Sequence, residues 1–199
     1  MLEQLIEFDK KLLLFFNGLH TPWLDQAMFT MSKTFFWIPL FALLLYWIIR
    51  EYKWNAWMVL IGIGLTVLLA DQITSTLMKP FFARPRPSNE PTLTGLVHLV
   101  NDYHGGKYGF ASSHAANTFG VAAFVWLLFR KNKKWIALLF VWALVVTYTR
   151  IYLGVHYPGD VLVGGMVGIA CAVFSYWIYD RLRTTMEKRN IAKASATNQ

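Results

Sequence analysis

Long apolar runs alternate with short polar stretches along most of the chain. Runs without any charged side chain cover residues 34–49, 54–70, 115–129, 135–149 and 161–179. Each run approaches the roughly 20 apolar residues that carry a helix across a bilayer. The pattern predicts an all-α protein, a polytopic bundle of about five transmembrane helices. No internal repeat or linker interrupts it, so residues 1–199 are expected to form a single domain.

The first residues follow a different pattern. Apolar side chains recur mostly at helical spacing, at Leu2, Leu5, Ile6, Phe8, Leu12, Leu13, Phe15 and Phe16. Acidic residues precede the first lysines, and no small-residue cleavage site follows, so a removed leader is not favoured. Residues 1–26 are predicted to form an amphipathic helix lying in the membrane interface, and then a turn at Pro22 into the first span.

The basic residues are placed unevenly between the two sides of the predicted membrane. Eleven of the 19 fall in two tight loops and the C-terminal stretch: Arg50, Lys53, Arg130, Lys131, Lys133, Lys134, Arg181, Arg183, Lys188, Arg189 and Lys193. Short basic loops stay in the cytoplasm, so residues 181–199 are predicted to be a cytoplasmic tail. The net charge of +8 is thereby explained by topology, and nucleic acid is not expected as a partner. We expect a multi-pass protein of the inner (cytoplasmic) membrane.

Composition agrees with a membrane protein. The chain is 56% hydrophobic and 15% charged, whereas soluble domains carry about 25% charged residues. Its single cysteine, Cys171, excludes an intrachain disulfide and a cysteine-based zinc site.

One long polar insertion, residues 79–113, holds four of the seven prolines and is predicted to be a loop on the outer face. Polar residues gather there and at the outer ends of the later helices: Lys79, Arg86, Ser112, His114, Arg150, His156 and Asp160. Ionisable groups at the membrane boundary are costly unless they are paired or used. Their convergence at one face of the membrane predicts an active site facing the periplasm or the cell exterior.

These residues suit phosphate chemistry. Lys79, Arg86 and Arg150 supply three cations, and the arginine forks match the oxygens of a phosphate group. Ser112 and backbone N–H groups at the start of a helix add donors. The sequence shows no carboxylate cluster for magnesium and too few site histidines for zinc. We therefore expect no metal and no cofactor in the reaction.

The order and spacing of the motif residues resemble the tripartite signature of the type 2 phosphatidic acid phosphatase (PAP2) superfamily. The matching segments are Lys79, six residues, Arg86-Pro87; Ala111-Ser112-Ser113-His114; and Thr149-Arg150, five residues, His156, three residues, Asp160. Every charged member of the family pattern is present. Ala111, Ser113 and Thr149 replace the family's Pro, Gly and Ser.

This resemblance implies a membrane-bound lipid phosphatase with a PAP2-like helical fold. It implies that His156, oriented by Asp160, attacks phosphorus and forms a phosphohistidine, and that His114 protonates the leaving oxygen and later activates water. It assigns phosphate binding to Lys79, Arg86, Ser112, Ser113 and Arg150.

A lipid phosphate or diphosphate is the expected substrate, and undecaprenyl diphosphate is favoured because small bacterial members of the family recycle that carrier. Phosphatidic acid, phosphatidylglycerol phosphate and lipid A phosphate remain open. Vanadium-dependent haloperoxidases share the pocket chemistry, but they are soluble. The alternative outside the enzymes is a non-catalytic protein that binds or transports anionic lipids. The oligomeric state stays open.

Several other polar or small residues receive plainer interpretations. Arg84 is interpreted as solvated, and Asp71 as a polar residue satisfied between helices or a partner of the site. The histidines His20, His98 and His104 are each expected to be surface or core residues. The glycines Gly164, Gly165 and Gly168 are expected to allow close helix packing.

Overall fold

The computed structural model describes residues 1–197 and is almost entirely helical. Its α-helices are α1 (Leu2–Asn17), α2 (Pro22–Met31), α3 (Ile38–Tyr52), α4 (Ala56–Asp71), α5 (Lys79–Phe82), α6 (Ser113–Phe129), α7 (Leu138–Tyr152) and α8 (Pro158–Thr197). A π-helical segment, Gln72–Met78, joins α4 to α5 without a break. Within the described residues there is no β-strand, and the predicted all-α fold is confirmed.

Three helical segments are long and apolar enough to cross a membrane: Thr34–Phe82, Lys134–Tyr152 and Pro158–Asn190. Ser113–Phe129 is apolar but shorter. Lys53 has a positive φ of 48°, and this residue separates α3 from α4 inside the first segment. The count of five crossings stays a prediction. Large apolar side chains such as Ile61, Leu144 and Leu162 remain exposed, as lipid-facing residues would.

Small residues let α6 and α8 pack closely. A Cβ atom at Gly168 would collide with the backbone oxygen of Ala116, and one at Gly164 would collide with that of Ser112. Phe124 of α6 fills the space beside Gly62 of α4. These contacts support the packing interpretation of the α8 glycines, and they bring the beginning of α6 next to the beginning of α8.

The N-terminal region contains two helices rather than the one interfacial helix and turn predicted for residues 1–26. Pro22 begins α2, because its fixed φ and missing N–H suit the first position of a helix. The ring nitrogen of Trp37 donates to the Met31 carbonyl, at 2.7 Å, where α2 ends. Helix α1 contacts α7 and α8. Its Asn17, only 1% exposed, donates to the carbonyls of His98 and Tyr152 at 2.9 and 2.7 Å.

The predicted outer loop, residues 79–113, is ordered by contacts between its two ends. It begins with α5, which Ala83 terminates in a left-handed conformation. Pro85 then forms an antiparallel bridge with Tyr108, and Gly109 N–H donates to the Arg84 carbonyl at 3.0 Å. The loop therefore folds back on itself and places Arg84 and Arg86 near the first residues of α6 and α8.

Candidate active site

His156 and Asp160 lie at the buried junction between α7 and α8. The two side chains are 1% and 0% exposed. His156 precedes α8, which begins at Pro158, and its Nδ1 is 3.3 Å from Asp160 Oδ2. The same carboxylate oxygen accepts from the backbone N–H of Tyr157 at 3.0 Å. Asp160 also accepts, through its backbone oxygen, from Ser112 N–H at 2.9 Å, which fixes α6 against α8.

Arg84 is part of this site, and its interpretation as a solvated residue is wrong. Its Nη1 lies 2.9 Å from the other oxygen of Asp160, and its Nη2 lies 2.8 Å from Asp9 of α1. The guanidinium also lies over the ring of Tyr157, 3.8 Å from the centroid. Asp9 accepts a second bond, from Gly159 N–H at 2.8 Å. Two carboxylates thus hold one arginine behind the histidine.

Arg86 determines which nitrogen of His156 carries the proton. Its Nη1 is 3.2 Å from His156 Nε2, and a guanidinium can only donate. The Nε2 atom must therefore present its lone pair, and the proton of the neutral ring resides on Nδ1, facing Asp160. Burial, followed by the positive charges of Arg86 and Arg150, lowers the pKa of His156 well below its ordinary value. The ring is thus neutral, with its Nδ1 proton facing Asp160 and its Nε2 lone pair facing Arg86.

Arg150 offers an unused donor. It is 3% exposed, and its Nη2 donates to the hydroxyl of Tyr103 at 3.2 Å. Its Nε is buried and has no hydrogen-bond partner among the residues that the structure describes. A buried donor without an acceptor costs free energy, and an anion bound beside Arg150 would remove that cost. Tyr103 was missed in the sequence because nothing in its surroundings distinguishes it from other aromatic residues.

Lys79 is positioned by hydroxyl groups. Its Nζ donates to Ser113 Oγ at 2.6 Å and to Ser75 Oγ at 3.2 Å. Ser113 Oγ also lies 2.9 Å from the hydroxyl of Thr74. Asp71 accepts from Ser75 at 3.1 Å, so it acts on Lys79 through a shared neighbour. The hydroxymethyl group that Ser113 adds to the family pattern is therefore hydrogen-bonded to side chains of the π-helical segment and α5.

Ser112 and His114 occupy the start of α6 in different ways. Ser112 is fully buried and is the N-cap, with its Oγ accepting from Ala115 N–H at 3.5 Å. The first N–H groups of a helix have no acceptor within the helix, so they remain available to an anion. His114, two residues further along, lines a cavity of about 290 Å³ together with Trp37 and Trp142. The walls of that cavity are mostly apolar.

The site offers no obvious place for a metal ion. Asp160 is the carboxylate at its centre, and both oxygens are already engaged by Arg84, His156 and Tyr157. A cation could be shared by three or more His, Cys, Asp or Glu side chains that lie close together. Among the described residues, such a group is found away from this site, at His20, Asp25 and His98.

Comparisons with known proteins identify the family of the chain. Residues 58–184 match the PAP2 superfamily. The chain is 40% identical over 190 residues to a lipid A 4'-phosphatase of Bacteroides thetaiotaomicron, covering 94% of this chain and 84% of the relative. It is 31% identical over 173 residues to an undecaprenyl-diphosphatase of Sulfolobus acidocaldarius, covering 83% and 76%.

A solved structure shares the fold. The transmembrane PAP2 type phosphatidylglycerolphosphate phosphatase from Bacillus subtilis superposes with a TM-score of 0.65 at 22% identity, covering 89% of this chain and 87% of that chain. The family match spans more than half of the sequence and contains the whole predicted signature. The protein belongs to the PAP2 superfamily and is a membrane-embedded lipid phosphatase of that family.

Proposed function

We propose that the protein removes the 4'-phosphate of lipid A by way of a phosphohistidine on His156. One observation supports this chemistry most strongly. The site contains a neutral, buried His156 whose Nε2 presents its lone pair, and also an Arg150 whose buried Nε has no hydrogen-bond partner among the described residues. A nucleophile and a vacant cationic donor at one site suit an enzyme that binds a phosphate and attacks it.

The first step transfers phosphorus to the histidine. The substrate phosphate accepts from Lys79, Arg86 and Arg150, and Arg86 gives up its contact with His156 Nε2 as it does so. Nε2 then attacks phosphorus, so that a P–N bond forms and the P–O bond to the lipid breaks. His114 donates a proton to the departing oxygen. The positive charge that develops on the imidazole is stabilised by Asp160 through Nδ1–H.

The second step regenerates the enzyme. His114, now deprotonated, accepts a proton from water, and the resulting hydroxide attacks the phosphohistidine. The P–N bond breaks and inorganic phosphate leaves. Each step uses side chains of this chain alone, so the reaction as proposed needs no metal ion or cofactor.

Lipid A is supported better than the undecaprenyl diphosphate that the sequence alone favours. The relative named as a lipid A 4'-phosphatase shares 40% identity over nearly the whole chain, against 31% for the relative named as an undecaprenyl-diphosphatase. The cavity that His114, Trp37 and Trp142 line gives an apolar chain a place to lie next to the reacting phosphate. Undecaprenyl diphosphate is the second candidate.

We further propose the inner membrane as the location, with the site on the outer face. The support is electrostatic. The basic loops near Arg50 and Arg130 and the basic stretch of α8 lie at the opposite helix ends from Arg150 and His156. Cysteine labelling from outside, in a Cys171→Ala background, is expected to reach a probe at Thr94 and to miss one at Asn132. The opposite labelling pattern would contradict this orientation.

Phosphate release by the purified protein tests the substrate. Lipid A, undecaprenyl diphosphate, phosphatidic acid and phosphatidylglycerol phosphate are supplied separately in detergent with EDTA. We expect the highest kcat/KM with lipid A, and no turnover of any substrate by His156→Gln. Preference for undecaprenyl diphosphate would overturn the substrate but keep the chemistry. Binding of lipid A without turnover would favour the non-catalytic alternative.

A further inference from the structure

A second polar group lies outside the phosphatase site. His20, in the turn between α1 and α2, stacks on His98 of the outer loop with ring centroids 3.7 Å apart. His98 Nε2 is 3.0 Å from Asp25 Oδ2 on α2. One ligand atom from each of the three side chains lies within 4.8 Å of the others.

The surroundings hold this group in place. Asn17, which is buried, donates to the His98 carbonyl at 2.9 Å and accepts from the His98 N–H at 2.8 Å, so the loop residue is fixed on both sides. The second oxygen of Asp25 accepts from the hydroxyl of Tyr152 at 2.6 Å. Hydrogen bonds of this kind to a ligating carboxylate orient metal ligands in known metal sites.

Asp25 supplies an anionic oxygen ligand, and its Oδ2 atom already faces His98.

We propose that His20, Asp25 and His98 form a Zn²⁺ site on the outer side of the protein, separate from the phosphatase site. Two imidazoles and one carboxylate, with water as the fourth ligand, are a donor set that zinc accepts. Magnesium and calcium prefer oxygen ligands and are not expected there.

Metal binding requires one local rearrangement. The lone pairs of stacked imidazoles lie in parallel planes, so the two rings cannot both point at one ion in the stack. His20 is exposed on a turn, and its ring is free to rotate until its nitrogen faces the space between His98 and Asp25. The other two ligands already lie at hydrogen-bond distance of each other and move little.

Bound zinc would join three segments that are far apart in the sequence: the α1–α2 turn, helix α2 and the outer loop. Tyr152, which hydrogen-bonds to Asp25, is two residues from Arg150 on α7. The ion would therefore stabilise the outer loop against the helix that carries a phosphate-binding arginine, without contacting the substrate.

Isothermal titration of ZnCl₂ into the full-length protein, purified in detergent without a histidine tag, tests the site. We expect one Zn²⁺ per chain and no comparable binding of MgCl₂. His20→Ala is expected to weaken zinc binding by at least about tenfold, which is a loss typical even of residues that only hydrogen-bond to a metal ligand. Since His20 is exposed, this variant keeps the fold.

His104→Ala is the matched control. His104 is another exposed loop histidine and pairs with Asp102 at 3.0 Å, but it belongs to no group of three ligands among the described residues. It is expected to keep the wild-type affinity. A wild-type protein that binds no Zn²⁺, or equal binding by His20→Ala and the wild type, would overturn the proposal, as would a loss of binding in His104→Ala.

Discussion

Replacing Arg84 by methionine tests the electrostatic support of the proposed nucleophile. The substitution keeps an apolar stem near Tyr157 but removes the cation that Asp160 and Asp9 share. Asp160 is fully buried, so its carboxylate is left without its cationic partner in a region of low dielectric. We expect part of the population to bind a proton at Asp160, and the negative charge that supports a positively charged His156 is then lost.

The structure sets the size of this effect. Removing one partner of a buried ion pair costs about 3–5 kcal/mol, and the lower end, about 3 kcal/mol, is expected here because the Arg84 side chain is 22% exposed. If that full amount is felt in the transition state, kcat falls roughly 100-fold, since each 1.36 kcal/mol corresponds to a factor of ten. Asp9→Asn, which keeps Asp160 paired with Arg84, is the graded control and is expected to lose about 1 kcal/mol or less.

Initial rates of phosphate release and thermal unfolding in detergent give the readouts. Arg84→Met is expected to lose rate and melting temperature together, and Asp9→Asn is expected to fall between it and the wild type. An Arg84→Met protein with wild-type rate and stability would refute the claim that the charge on Asp160 depends on Arg84.

Three further predictions follow from the same contacts. Arg150→Lys keeps the charge but loses the guanidinium fork, so kcat/KM for phosphate release is expected to fall about tenfold; full activity would mean that only the charge matters. Gly164→Ala adds a Cβ that collides with the Ser112 carbonyl, so the melting temperature is expected to fall, whereas Gly64→Ala, where nothing lies within 4 Å, is not expected to lower it. His156 has a lowered pKa when folded, so the unfolded state takes up the proton first and stability is expected to decline as pH falls below 6.5. This decline should be shallower in His156→Gln, and equal pH profiles would contradict it.

The sequence predicted the membrane class and the central charged residues because both depend on local signals. A long charge-free run indicates a membrane-spanning helix from its own sequence alone. Arg150, His156 and Asp160 lie within one short stretch of chain, so their spacing is visible in the sequence. The structure then places these residues together with Lys79 and Arg86.

Other contacts had no local signal. Asp9 meets Arg84 across 75 residues, and His20 meets His98 only because the outer loop folds over the N-terminal helices. Such pairs arise from tertiary packing, which the periodicity of apolar residues along a sequence does not reveal. The turn before Pro22 was predicted, but the separate helix α2 that begins there was not, because its ten residues were assigned to the entry into the first span. The cavity beside His114 had no local signal either, because side chains from several distant segments line it.

The most direct test of the central claim is to trap the covalent intermediate. Protein is mixed with lipid A carrying ³²P at the 4'-phosphate, quenched within a single turnover, digested and analysed by mass spectrometry and radiolabel. The proposal predicts label on the peptide that contains His156 and none in His156→Gln. Release of the 4'-phosphate without any labelled peptide, or label on another residue, would contradict it.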